Sequence, residues 1–553
     1  MTVRSGGRIL IDGLVAQGTG LVFGVAGESY LAALDAMADA GGLRFVACRQ
    51  EGGAAMMAEA HGKLSGRPGV AFVTRGPGAT NAAAGLHVAS QDSTPMLLLV
   101  GQVARGMRGR EAFQELDYRA VFGTMAKWVA EADDPARLPE LVRRAYATAM
   151  NGRPGPVVLA LPEDVLRATA DVADAKRVEP AALAPGAGAI EAVARRLAAA
   201  RRPLAIVGGG GWSEAGVADL ARFLEAWRLP AAAAFRRQGL VDNRRTPYAG
   251  HLGIAPDPRL VERVEAADLL LVLGARLGEM TTGGYGLVGL DEHPQDLVHV
   301  HPDPSELNRV YAADLAVCAG MDATAEALAG LPPPERIAWE GEAEAAHAAF
   351  LAFTEPTRVP GALQLPEVMA GLAKRLPPHA IVTNGAGNYA AFLNRFHRYK
   401  GFNSQLAPTS GSMGYGLPAA VAAKLVHPER PVVAFAGDGC LMMTVPELAT
   451  AVQHDAAVVV VVVNNGMLGT IRMHQERAYP GRVVGTDLKN PDFVAMARAF
   501  GAEAFKVERT EAFAPALDAA LKSGRPALVE VVVDPEALTP GRSLSAIRAA
   551  AMG

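Results

Sequence analysis

Six consecutive valines, at positions 458–463, set the tightest limit on what this chain can fold into. An unbroken β-branched run of that length reads as a strand covered on both faces, as in a parallel sheet flanked by helices. Similar runs recur: GVAFVT (69–74), MLLLV (96–100), PVVLAL (156–161), PLAIVG (203–208), LLLVLG (269–274), AIVTNG (380–385), VVAFAG (432–437) and ALVEVVV (527–533). Ala/Leu-rich helical stretches separate them. The expected class is α/β, with doubly wound parallel sheets.

A chain of 553 residues is too long for one core. Two Pro-rich, strand-poor stretches divide it, residues 171–190 and 331–365, and both read as connections. Three α/β domains are expected: 1–170, 186–333 and 362–538, followed by a tail at 539–553.

Charge excludes some partners. Lys plus Arg is 53 and Asp plus Glu is 57, a balance with no footprint for nucleic acid or an anionic membrane. The three cysteines, Cys48, Cys318 and Cys440, are too scattered for a disulfide framework or a cysteine-rich zinc site. No apolar run is long enough to span a bilayer, and the start lacks a signal-peptide core. A soluble cytoplasmic protein is expected.

The chemistry is written at the strand ends. VVAFAG runs into Asp438, which stands between Gly437 and Gly439, and the valine run ends at Asn464 and Asn465. Ligands bind at the carboxyl ends of strands in open α/β sheets. Glycines let the backbone approach a ligand closely. A helix expected from about Val445 would offer free N–H groups to an anion. A carboxylate, an amide oxygen and a nearby carbonyl are hard oxygen donors of the kind Mg²⁺ takes together with phosphate oxygens.

GDG, a helix, a strand and NN together resemble the cofactor signature of the thiamine diphosphate (ThDP) dependent enzymes. FGVAGESY (23–30), RQEGGAAMMAEAHGKLSGRPGVAFVTRGPGATNAAAG (49–85) and GQVARGMRGREAFQELD (101–117) resemble the acetolactate synthase-like branch of that superfamily. The likeness covers essentially the whole chain and implies an N-terminal pyrimidine-binding domain, a central Rossmann-like domain and a C-terminal diphosphate-binding domain. It assigns Mg²⁺ to Asp438, Asn465 and the carbonyl of Met467. It places Gly385, Ala386, Asn388, Tyr389, Gly437, Gly439, Cys440 and Leu468 around the diphosphate. Met413 becomes the wedge that bends the cofactor, Gly411 the acceptor for its 4′-amino group, and Gly78 and Asn81 further cofactor contacts. Glu51 becomes the carboxylate on pyrimidine N1′ that promotes loss of the thiazolium C2 proton, the cofactor then acting as electron sink. Glu28, with Ser29 and Tyr30, and Gln114 become candidate active-site contacts. In such enzymes Glu51 of one subunit faces the diphosphate domain of another. A homodimer at minimum is implied, with a homotetramer expected, acting on small-molecule carbonyl substrates.

The middle of the chain departs from the acetolactate pattern. Where those enzymes hold FAD, Met280 takes the place of an arginine and His301 that of an aspartate, while IVGGGGWS (206–213) keeps a nucleotide-loop look. His474 takes the place of a tryptophan that shapes the acceptor pocket, and KW (127–128) replaces KH. These changes put FAD and the acetolactate substrate pair in doubt, and leave decarboxylation and aldehyde ligation or lysis open. Two readings of other classes compete: an NAD-type oxidoreductase built on GGGG, and a non-catalytic nucleotide-binding member of the fold. The first leaves GDG and NN unexplained; the second leaves Glu51 unexplained.

Overall fold

The computed structural model describes residues 3–552. Three six-stranded sheets carry the fold, and every strand pairing within them is parallel. The N-terminal sheet runs Arg44–Ala47, Leu21–Gly24, Gly69–Val73, Met96–Gln102, Pro156–Pro162, Trp128–Glu131 from edge to edge. The C-terminal sheet runs Gln405–Leu406, Ile381–Asn384, Val432–Gly437, Val459–Asn464, Ala527–Val532, Glu503–Val507. Numbered by appearance in the chain, both have the order 2-1-3-4-6-5. The central sheet runs Tyr248–His251, Ala231–Ala233, Pro203–Val207, Leu269–Leu273, Asp296–His301, Leu315–Cys318, which is 3-2-1-4-5-6, the dinucleotide-fold order.

The valine run sits where its sequence demands. Val461 pairs with Phe435 on one side and Val529 on the other, and all five valines of Val459–Asn464 are buried. Burying one valine is worth ~1.5–3 kcal/mol relative to leaving it in water.

The N- and C-terminal domains share one apolar cluster. Helix Glu51–Ser65 lies in it against helix Gly416–Val426. Five polar side chains are satisfied inside this contact. Glu59, fully buried, accepts from Thr94 Oγ1 at 2.7 Å and Tyr415 Oη at 2.5 Å. Lys63 bridges Glu59 and Asp92, and the Asp92 carboxylate also accepts from the Thr409 N–H at 2.6 Å. A buried ion pair holds only when its hydrogen bonds are complete, as they are here.

The stretch expected as a second connection is partly a core element. Helix Glu342–Phe353 lies within it, and Trp339 and Phe350 join the central domain's core, the Phe350 ring meeting Tyr248 edge-on at 4.8 Å. Its prolines flank the helix rather than breaking it, which is why composition alone hid it.

The tail also folds. Helix Leu544–Met552 packs on helix Gly469–Ala478 through Met467, Met473, Leu538, Leu544 and Ile547. Beneath it Glu476, fully buried, accepts from Arg548 Nε at 2.8 Å and Nη2 at 2.6 Å, Arg472 Nε at 3.0 Å and the Gly481 N–H at 2.8 Å. These donors, Arg548 first, hold its carboxyl down to about 2 against an ordinary 4.5. A depressed carboxyl stabilises the fold above its unfolded value and loses that contribution as pH falls through the folded one. Arg548→Ala is therefore expected to lower the melting temperature at neutral pH. The difference from wild type should shrink as pH drops from 4.5 toward 2. A pH-independent difference in melting curves would contradict the ion-pair account.

Candidate cofactor and active site

In a sheet of order 2-1-3-4-6-5 the chain departs in opposite directions after strands one and three, leaving a crevice between their ends. In the C-terminal sheet those strands are Ile381–Asn384 and Val432–Gly437. The first leads into GAGNY and the second into Asp438. Between them lies a cavity of about 250 Å³ lined by Ala386, Asn388, Tyr389, Gly411, Met413, Gly437, Asp438, Gly439, Cys440, Asn465, Met467 and Leu468, among others. The structure thus gathers twelve of the residues singled out in the C-terminal third around one space. Gly385 stands just behind. A Cβ there would lie 2.6 Å from Cys440 Sγ, so only glycine lets the two loops meet. Gly411, with φ +68°, gives the Met413 loop its turn.

Asp438 opens the helix Asp438–Met442, with a second helix, Glu447–Gln453, behind it. The helix expected from about Val445 is thus two short pieces, the first beginning at the aspartate itself. Asp438 is 2 % exposed and burial raises its carboxyl. Its oxygens accept N–H donors from Gly439 at 2.9 Å, Gly466 at 2.9 Å and Asn490 Nδ2 at 2.8 Å. Among the described residues it has no ion-pair partner. A buried carboxylate without a cation is costly, and a divalent ion is the partner that its hard-oxygen neighbours suit. Asn490 also donates to Asn464 Oδ1 at 3.0 Å, tying the two strand ends together. Asn464 in turn donates to Glu530 at 2.8 Å. Asn465 Oδ1 accepts from the Met467 N–H at 3.2 Å, which sets both at the rim of the cavity.

Tyr389 lines the cavity, but its hydroxyl is turned inward, accepting the Gly385 N–H at 3.0 Å and meeting Cys440 Sγ at 3.3 Å. It shapes the loop instead of offering its hydroxyl. Asn388 is held by Thr470 at 2.8 Å and by the Leu538 carbonyl at 3.1 Å.

The N-terminal candidates form a second group outside that cavity. Glu51 opens helix Glu51–Ser65 and is half-buried, its Oε2 accepting from Asn81 Nδ2 at 2.9 Å. Gly78 lies beside it; a Cβ there would be 3.3 Å from Glu51 Oε1. Glu28 lies in the segment after Leu21–Gly24, and Gln114 packs on Gly76, just past Gly69–Val73. None of these five residues lines the C-terminal cavity. Ser29 and Tyr30, expected as substrate contacts, are fully buried: Ser29 bonds Thr74 Oγ1 at 2.8 Å and Tyr30 stacks on Phe72 at 4.0 Å. They support the loop that presents Glu28. His474 lies on the exposed side of helix Gly469–Ala478, and Met280 is also exposed.

In the central sheet, GGGG follows Pro203–Val207 at the switch between the first and fourth strands, where a dinucleotide would lie. The cavity beside it measures about 60 Å³ and is lined by Lys63, Arg236 and Arg237. That is about a quarter of the volume of the cavity at the C-terminal switch point. Arg276 reaches across to the Gln91 carbonyl at 3.0 Å, a bridge between domains. His301 is buried and accepts from the Asp303 N–H at 3.0 Å. The purified protein is expected to lack flavin absorbance; a stoichiometric flavin spectrum would contradict this expectation. A larger cavity, about 810 Å³, lies between helix Glu214–Ala226 and residues 400–403, and none of the candidate site residues lines it.

Comparison with known proteins gives the same picture. Residues 385–531 match the thiamine pyrophosphate enzyme C-terminal TPP binding domain, 4–121 its N-terminal TPP binding domain and 190–328 its central domain. The acetolactate synthase isozyme 2 large subunit of Escherichia coli (strain K12) is 32% identical over 536 residues, covering 96% of this chain and 96% of the relative. The acetolactate synthase large subunit of Parasynechococcus marenigrum is 32% identical over 96% of this chain and 87% of its own length. The corresponding Corynebacterium glutamicum subunit is 29% identical over the same shares, 96% and 87%. Fold and comparisons together define a ThDP-dependent enzyme of the carboligase type. Within that class, the chain belongs to the acetolactate synthase-like thiamine pyrophosphate enzymes. No described helix is long and apolar enough to cross a membrane.

Proposed function

We propose that this chain is a ThDP- and Mg²⁺-dependent enzyme that makes or breaks a carbon–carbon bond next to a carbonyl. Pyruvate or a related 2-oxo acid is the donor, and an aldehyde or a proton the preferred second partner. The reading rests above all on the cavity at the C-terminal switch point, where a buried carboxylate without a cation meets an amide oxygen and glycine loops. When bound, ThDP supplies a carbon nucleophile and an electron sink for the carbonyl carbon. Asp438, Asn465 and the Met467 carbonyl would hold the cation, Gly439 and Cys440 would offer N–H groups to the diphosphate, and Met413 would fix the bend. Glu51, oriented by Asn81, would hold the proton on the pyrimidine side. Glu51 does not line the cavity of its own chain, so a second copy would complete each site. A symmetric dimer is the least assembly that does this.

Loss of the arginine at Met280 removes a bidentate partner for a second carboxylate. This supports an aldehyde or proton as acceptor. His474 adds no support in a single chain, since it faces solvent there. Incubation with pyruvate alone, then with acetaldehyde or benzaldehyde added, tests the assignment. Mixed ligation products or acetaldehyde are expected. Rapid acetolactate formation unaffected by aldehyde would overturn the acceptor assignment, and no turnover at all would overturn the donor assignment.

A further inference from the structure

Arg75 occupies the N-terminal sheet's counterpart of the Asp438 position. It follows Gly69–Val73, the third strand in order, next to Leu21–Gly24, the first. Asp438 follows the third strand of the identically ordered C-terminal sheet. The crevice between such strands is where an open α/β sheet presents its functional groups.

Arg75 is 8 % exposed, and its guanidinium is divided among three segments. Nε donates to the Phe113 carbonyl at 3.1 Å and Nη2 to Glu28 Oε1 at 3.2 Å. Nη1 is buried without a hydrogen-bond partner and lies 3.6 Å from Glu163 Oε2. Phe113 precedes Gln114, whose φ is +65° and which sits directly over Gly76; a Cβ on Gly76 would be 2.8 Å from Gln114 Cβ. That turn opens helix Pro77–Asp92, which carries Gly78 and Asn81, the partner of Glu51. One cation therefore joins the Glu28 loop, the Phe113–Gln114 segment and the turn that opens the helix carrying Glu51's partner Asn81.

Glu28 itself is 66 % exposed at its side chain, so water screens its attraction to Arg75. The consequence of the contact is geometric: it confines a carboxylate that would otherwise sweep through solvent. Placement errors of ~1 Å can cost ~100-fold in rate. A carboxylate-bearing substrate is a poor ligand for this guanidinium, because Glu28 and Glu163 already face it.

We propose that Arg75 is a positioning residue that fixes Glu28 and the Phe113–Gln114 backbone over the face where the substrate carbonyl meets the cofactor. The inference rests on the ThDP reading above. It is tested with Arg75→Gln, Arg75→Lys, Glu28→Gln and the Arg75→Gln/Glu28→Gln pair, each saturated with ThDP and Mg²⁺ and normalised to the number of ThDP-loaded sites. Arg75→Gln is expected to lower kcat ~10- to 100-fold with KM for the 2-oxo acid within about twofold. Arg75→Lys should recover part of the loss, since an ammonium reaches some of the same acceptors. The double variant should be no slower than the slower single one, the mark of coupled residues. Wild-type kcat in Arg75→Gln, a raised KM at unchanged kcat, or additive losses would each overturn the proposal; the raised KM would make Arg75 a substrate receptor instead. Should Arg75→Gln fail to fold, Arg75→Lys against Glu28→Gln decides by the same split. A wild type that binds ThDP without turnover would instead sink the parent reading, and this proposal with it.

Discussion

Asp438→Ala is expected to abolish Mg²⁺-dependent binding of ThDP. Asp438 is the only carboxylate among the proposed metal donors, and it is buried where water cannot screen it. A diphosphate brought to this cavity without a cation would face that carboxylate directly, and the two would repel. With the cation, the same charges become its ligands. Removing the carboxylate leaves one amide and one carbonyl, too weak a set to hold a divalent ion. A loss of affinity of about 100-fold or more is expected, ~2.8 kcal/mol or more. The variant should show an opposite sign elsewhere. Without cofactor it loses a buried, uncompensated charge, so its own melting temperature should match or exceed that of wild type. Added ThDP and Mg²⁺ should then raise the melting temperature of wild type only. Burial raises the Asp438 carboxyl. Protons therefore compete with the cation as pH falls, and wild-type affinity should drop on the acid side. Unchanged ThDP affinity in Asp438→Ala by calorimetry would contradict the assignment.

Glu51→Gln should behave in the reverse manner: ThDP binding retained, turnover lost. The amide keeps the shape and can still meet Asn81, but it cannot hold or release the proton. Positioned acid–base groups contribute ~10²–10⁴-fold, and the loss in kcat should be of that size. Equal turnover by variant and wild type would remove Glu51 from the mechanism.

How much of this was legible in the sequence follows from the physics of each element. The valine run announced a central strand because both faces of such a strand are apolar. Very short strands such as Ala231–Ala233 and Gln405–Leu406 did not, since two or three residues without a β-branched pattern carry no periodicity. Strand order was not legible at all, and with it the match between the N- and C-terminal sheets. GDG and NN were readable because the glycines and polar strand ends are local. Asn490, which joins Asp438 and Asn464, was not, because its partners lie 52 and 26 residues away. Arg75 stands inside a glycine motif that was read, yet its three partners, Phe113, Glu28 and Glu163, come from segments that only the fold assembles. Ser29 and Tyr30 show the converse: they adjoin an active-site candidate, but the 3-10 turn Glu28–Tyr30 buries both.

The central claim is that each site takes Glu51 from one copy and Asp438 from another. Mixing the two inactive variants tests it most directly. Glu51→Gln and Asp438→Ala chains are co-expressed or unfolded and refolded together with ThDP and Mg²⁺, and turnover is compared with either variant alone. In a symmetric dimer half the molecules are hybrids, and each hybrid carries one site with both residues intact. Recovery of about a quarter of wild-type activity is therefore predicted. Mixtures confirmed as hybrid by mass but no more active than the separate variants would show that each site is built within one chain, and would contradict the account.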